Sequence, residues 1–154
     1  MGRPPKRVAK EIIVLTLLQA SRIVDEALAH ARRHNFAPLT VAVLDARGCL
    51  VALKMEDGSS LLRPDIATGK AWGALGMGFG TRSLAARAEK SPSFFAALAS
   101  LAGGRIVPVP GGVLIRSAEG EVIGAAGASG DNSDNDEASL IAGIEAAGLH
   151  ADPG

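Results

Sequence analysis

From residue 17 to residue 35 the apolar positions return at helical spacing. At 100° per residue, Leu17, Ala20, Val24, Ala27, Leu28 and Ala31 share one face, while Arg22, Glu26 and Arg33 lie opposite. Thr16 stands where an N-cap belongs, so this segment is expected to be a surface helix over a core. After Pro38 the period changes. Residues 39–44 (LTVAVL) and 49–55 (CLVALKM) are apolar runs of strand length joined through Asp45, Ala46, Arg47 and Gly48, which predicts a hairpin. A second hairpin is expected from residues 113–117 and 121–129, split by Ala118, Glu119 and Gly120.

Between the hairpins the pattern is helical again. Pro64 suits the first turn of a helix, and Gly69, Gly73, Gly76 and Gly80 fall four, three and four apart, within a narrow sector of one helical face. Each helical glycine costs about 1 kcal/mol relative to alanine. Another surface, protein or planar molecule, is therefore expected to lie flush on them. Residues 81–90 and a segment from Ser91 and Pro92 to Gly103 and Gly104 read as two further helices, followed by an extended stretch, 105–109, into Pro110, Gly111 and Gly112. The strand at 121–129 carries Gly124, Ala125, Ala126, Gly127 and Ala128, so its faces are almost bare and a neighbour should pack on its backbone. Asp134 and Glu137 have the spacing of a capping box before a last helix, 138–149. Two hairpins set among helices predict a single domain over residues 16–150, built on an antiparallel sheet flanked by helices, behind a frayed basic arm, 1–15.

Composition narrows the function classes. The chain's 154 residues suit one domain with a real core. Sixteen basic and sixteen acidic residues cancel, aromatic residues make up 3%, and tyrosine is absent, which argues against a nucleic-acid partner. Arg3, Lys6, Arg7 and Lys10 ahead of an apolar run at 12–18 imitate a secretory signal, but Glu11 interrupts and no small-x-small cleavage site follows. The expectation is a cytoplasmic protein, with no segment long enough to span a membrane. The single cysteine, Cys49, reads as a small core residue of a strand.

Few residues carry chemistry. His30 and His34, four apart on the first helix, can direct two imidazoles at one metal or one tetrapyrrole; the alternative is a packed or solvated pair at the edge of the apolar face. His150 reads as idle. The acidic run 131–137 fails the calcium-loop pattern, because Asp136 stands where glycine is needed and Ala142 where glutamate is needed. A helix start rich in acids explains it. No glycine group has phosphate-loop spacing. Lys70, beside Trp72 and after Arg63, either pairs with an acidic ligand group or snorkels at a rim.

The sequence resembles the GlcG/HbpS family, which includes the C-terminal domain of PduO-type proteins. The resemblance is carried by LTLLQASRIVDEALAHA at 15–31, VAVLDARGCLVALKMEDG at 41–58, DIATGKAW at 65–72, PGGVLI at 110–115 and GEVIGAAGASG at 120–130, followed by Asp136 and Glu137. It implies a profilin-like α/β/α sandwich with an antiparallel sheet of about five strands, and a homo-oligomer, often an octamer. It also implies binding of haem or a corrinoid: His30 or His34 as axial ligand, and Lys70, Arg63 or Arg105 near the propionates. The motif positions Pro110, Gly111, Gly112, Asp136 and Glu137 complete the expected ligand-binding set. Two other readings stay open at this level. One is an enzyme acting on a small carboxylic acid or carbonyl compound, with Lys70 holding the carboxylate and Asp45, Asp57, Asp136 or Glu137 as acid or base. The other is an assembly protein whose glycine-faced helix is an interface.

Overall fold

A computed structural model describes Gly2, Pro5 and residues 9–154. Arg3, Lys6 and Arg7 of the basic arm lie outside the described residues. The elements run α1 (Leu17–Arg33), β1 (Thr40–Asp45), β2 (Leu50–Met55), α2 (Arg63–Met77), α3 (Thr81–Lys90), α4 (Pro92–Leu101), β3 (Gly112–Arg116), β4 (Val122–Ser129), α5 (Ser133–Ala146) and β5 (His150–Asp152). The strands form one antiparallel sheet ordered β2-β1-β4-β3-β5. Helices α1 and α5 cover one face and α2 the other, the profilin-like α/β/α sandwich. Alternation along each strand divides the core. Val41, Val43, Val113, Ile115, Ala126 and Ala128 point to α1 and α5, while Leu44, Leu114 and Ala125 meet Ala71 and Ala74 of α2. No helix of the described residues is long and apolar enough to cross a membrane.

Local chemistry explains where the elements begin. Thr16 and Gln19 form a reciprocal capping box at the start of α1, each side chain satisfying the other's backbone N–H. Inside α1 the buried face is Ala20, Ile23, Val24, Ala27 and Ala31; Leu17 is 65% exposed, and Leu15, just ahead of the cap, fills the core at this end instead. Leu15 thus belongs to the domain rather than to a frayed arm. At the other end of the chain, Asn132 caps α5 by accepting from the Asn135 amide at 2.9 Å, so the capping box expected from Asp134 and Glu137 does not form. Those two carboxylates turn to Arg82 instead. Strand β5 has no signal in the sequence, since His-Ala-Asp shows no apolar alternation; His150, read there as idle, sits opposite Arg116 in the ladder. Cys49 is exposed ahead of β2, its amide donating to Asp45 Oδ1 at 3.0 Å, so it is not a core residue.

The glycine sector is divided up. Gly78, at φ 76°, takes the left-handed position that ends α2, so Gly80 belongs to the next turn, where it abuts Pro153. Gly69 and Gly73 lie under the chain's own segment 105–107, with the Arg105 carbonyl 2.9 Å from where a Gly69 Cβ would stand. The flush surface expected over these residues is intramolecular. Of Gly69, Gly73, Gly76 and Gly80, Gly76 alone has nothing within 4 Å of its Cβ position.

The acidic run has structural work of its own. Asp131 accepts from the Ala37 amide at 2.6 Å, the Asn132 amide at 2.7 Å and the Asn135 side chain at 2.8 Å, tying the α1–β1 connection to the start of α5. These donors hold its carboxyl below the usual carboxylate range. A folded-state pKa depressed below 3.8 adds stability that is present above 3.8 and lost as pH falls through the lowered value. Asp131→Ala should therefore cost about 1–2 kcal/mol at neutral pH. In urea titrations its deficit against wild type should shrink once the pH drops below the carboxylate range; a deficit independent of pH would show that the carboxylate charge is not what holds this corner.

Candidate functional site

The expected ligand-binding residues separate into three places. The first is a buried junction. Lys70 enters from α2 at 3% exposure, and its Nζ donates to the Ala128 carbonyl at 2.9 Å and to Asp136 Oδ2 at 3.2 Å. Asp136 Oδ1 accepts the Asp131 amide at 3.0 Å. Gly111, at φ 111°, closes over the amine: a Cβ there would stand 2.9 Å from Nζ, so both backbone conformation and space demand glycine. Gly112 exchanges hydrogen bonds with Thr81, its amide donating to Oγ1 at 2.7 Å and its carbonyl accepting at 3.2 Å. Arg63 donates to Ser129 Oγ at 3.0 Å on the same side of the sheet. Burial pulls the Lys70 ammonium down and pushes the Asp136 carboxyl up, with each partner opposing the other's shift. Nearby, Arg82 Nε lies 3.1 and 3.0 Å from the two Glu137 oxygens and Nη2 lies 2.6 Å from Asp134; these bonds push the guanidinium pKa up. Lys70, Pro110, Gly111, Gly112, Asp136 and Glu137 line neither of two clefts, of about 600 and 330 Å³, elsewhere on the chain. Within one chain they bind α2, β4 and α5 together.

The second place is a cleft of about 600 Å³ between β2, the start of α2 and the segment after α4. Its lining includes the apolar Leu50 and Leu53, the polar Asp65 and Thr68, and Trp72 and Arg105. The Arg105 guanidinium lies 4.0 Å over the indole ring, and its Nε donates to the Ala102 carbonyl at 2.9 Å. Residue order gave no sign of this stack, because Trp72 and Arg105 are joined only by the tertiary fold. A smaller hollow of about 330 Å³ lies between residues 12–15 and the β1–β2 turn.

The third place is the C-terminal end of α1. His30 and His34 stack with ring centroids 4.0 Å apart and planes 27° from parallel, and Phe36 approaches both rings at 5.9 and 5.6 Å. His34 Nδ1 lies 2.8 Å from the His30 carbonyl. A carbonyl only accepts, so Nδ1 carries the proton and, in the neutral ring, Nε2 keeps its lone pair. His34 is exposed, so that lone pair is open to a ligand. His30 Nδ1 is buried with no hydrogen-bond partner among the described residues, and burial, reinforced by His34 and Arg33, pulls its pKa down. Among the described residues no cluster of three or more His, Cys, Asp or Glu side chains could hold a metal ion. A bare cation would lack its ligand set, whereas a haem, which brings four nitrogens, needs one imidazole. The donor at this corner fits that group. Helix α1 makes no contact with α2, so within one chain the histidines and the basic residues Lys70, Arg63 and Arg105 are not brought to one ligand.

A family model described as "Haem degrading protein HbpS-like" matches residues 15–145. Among solved structures, a PduOC:haem complex shares 23% identity over 89% of this chain and 97% of the other, with a TM-score of 0.80. The Klebsiella pneumoniae protein ORFY shares 22% over 92% and 96%, at 0.82. HbpS shares 25% over 94% and 96%, at 0.76. No curated protein matches the sequence.

Proposed function

The chain belongs to the HbpS-like family, and from that premise we propose that it is an oligomeric protein that binds haem or a related tetrapyrrole through the His34 imidazole. The observation that carries this reading is the hydrogen bond from His34 Nδ1 to the His30 carbonyl, which fixes the tautomer that offers Nε2 outward. The His30 ring stacked on it holds the plane of the His34 imidazole. Phe36 supplies an apolar edge at the same corner. Lys70, Arg63 and Arg105 do not reach this corner, and in their place we assign the propionate to Arg33, which is exposed in the last turn of α1. The bound group supplies an exchangeable metal position, and the chain's part is to ligate, orient and cover it. A PduO-type relative of the same fold was crystallised with haem, which supports haem ahead of a corrinoid.

Assembly is supported by the surface. Helix α4 contains no buried residue and packs against α3 alone, leaving Phe94 and Leu101 exposed, and Leu61 and Leu62 ahead of α2 are exposed as well. Titrating the protein with hemin should give a saturable, sharpened Soret band at one haem per chain. His34→Ala should abolish that band or shift it to a different ligation state, while His30→Ala should weaken binding and keep the axial imidazole spectrum. A Soret band in His34→Ala that matches wild type would remove His34 from the ligand set. Saturation by cobalamin but not hemin would assign the corrinoid.

A further inference from the structure

The cleft on the opposite layer has a different chemistry. Arg105 is held at two points, by its Nε bond to the Ala102 carbonyl and by the indole beneath it, so the guanidinium plane is fixed before any ligand arrives. No carboxylate pairs with it among the described residues, in contrast to Arg32, Arg47, Arg82 and Arg116, each of which has an acidic partner. Its terminal amino groups are left to receive an oxyanion in the two-point geometry that planar guanidinium favours. The apolar Leu50 and Leu53 line the same cleft, and about 600 Å³ is ample for a small organic molecule. Asp65 lines the same space. A second negative charge on the ligand would be brought towards that carboxylate, so the site discriminates by repulsion as well as attraction.

We propose that this cleft is a second ligand site that takes a small monocarboxylate with an apolar body, its carboxylate on Arg105 and its body over Trp72 and against Leu50 and Leu53. The site is independent of His34, because α1 and α2 lie on opposite faces of the sheet. Trp72 is the only tryptophan and tyrosine is absent, so intrinsic fluorescence reports on this cleft alone.

The test is a titration of the full chain with 3-phenylpropanoate, followed by Trp72 fluorescence and by calorimetry, beside 3-phenylpropanamide, which lacks the charge, and benzylsuccinate, which doubles it. A saturable response is expected for the monocarboxylate, with no response to the amide and weaker binding of the dicarboxylate. Arg105→Gln should weaken 3-phenylpropanoate about ten-fold or more, the scale of a lost charge-assisted pair, while the chain stays folded at the assay temperature, its melting point lowered by no more than a few degrees through loss of the Ala102 bond and the indole stack. Asp65→Asn should bring benzylsuccinate up to the monocarboxylate's affinity. His34→Ala should bind 3-phenylpropanoate as wild type does. No saturable response in wild type, equal binding of the amide, or unaltered affinity in Arg105→Gln would overturn the proposal. Tighter binding of benzylsuccinate than of 3-phenylpropanoate would overturn the monocarboxylate class.

Discussion

Lys70→Met is expected to destabilise the fold by about 3–5 kcal/mol, the range found when one partner of a buried ion pair is removed. The methionine fills similar volume, so the loss is electrostatic rather than a cavity. Asp136 keeps only the Asp131 amide on Oδ1, and its second oxygen is left buried without a donor. Its carboxyl is already pushed up by burial, and Lys70 is the group that opposes this most. Without that cation the folded-state pKa rises further. A raised carboxyl pKa carries a penalty that is full above the folded value and relieved as the pH falls below it and the acid becomes neutral. The deficit of Lys70→Met should therefore be greatest at neutral pH and narrow towards acid, read from urea titrations at several pH values. Lys70→Met with Asp136→Asn removes the stranded charge while the amide oxygen can still accept from Asp131. That double variant should be more stable at neutral pH than Lys70→Met alone. A single-variant deficit below about 1 kcal/mol would place the pair in the class of solvated surface bridges and refute a sealed junction.

This junction shows what residue order carries and what it does not. Lys70, Gly111, Gly112 and Asp136 each stand out in the sequence, yet Lys70 and Asp136 are 66 positions apart and their pairing exists only after α2 and α5 have packed on β4. Elements with a clear period were legible: α1, with its Thr16 cap, and both hairpins follow from spacing alone. Where two local signals compete, long-range contacts decide. Asp134 and Glu137 have capping-box spacing, but Arg82 draws both away and Asn132 caps the helix. The histidine pair was legible because i and i+4 meet on any helix, whereas the Trp72–Arg105 stack depends on a loop returning from α4. Glycine spacing was legible as close packing but silent about the partner, since a bare face looks the same whether a second molecule or the chain itself covers it.

Two substitutions in that glycine set separate the cases with opposite signs. Gly127 of β4 sits beneath α2: a Cβ there would lie 1.8 Å from the Ala67 carbonyl oxygen and 3.0 Å from the Ala71 nitrogen. Both are backbone atoms, so no rotamer change relieves the contact; the helix itself must lift. Lifting α2 loosens Ala71 and Ala74 from Leu44, Leu114 and Ala125 and shifts Lys70 from the Ala128 carbonyl. Gly127→Ala should cost about 3 kcal/mol or more, at the upper end of overpacking effects, and lower the melting temperature by roughly 10 °C for a domain of this size. Gly76 lies in the same α2 with nothing within 4 Å of its Cβ position. Gly76→Ala should raise stability by about 1 kcal/mol through helix propensity. If Gly127→Ala melts within a degree or two of wild type, α2 does not rest on the backbone of β4. In that event the positions of Lys70 and Trp72, both set by that contact, lose their basis. A loss of stability in Gly76→Ala would instead show that another copy of the chain covers this face in solution.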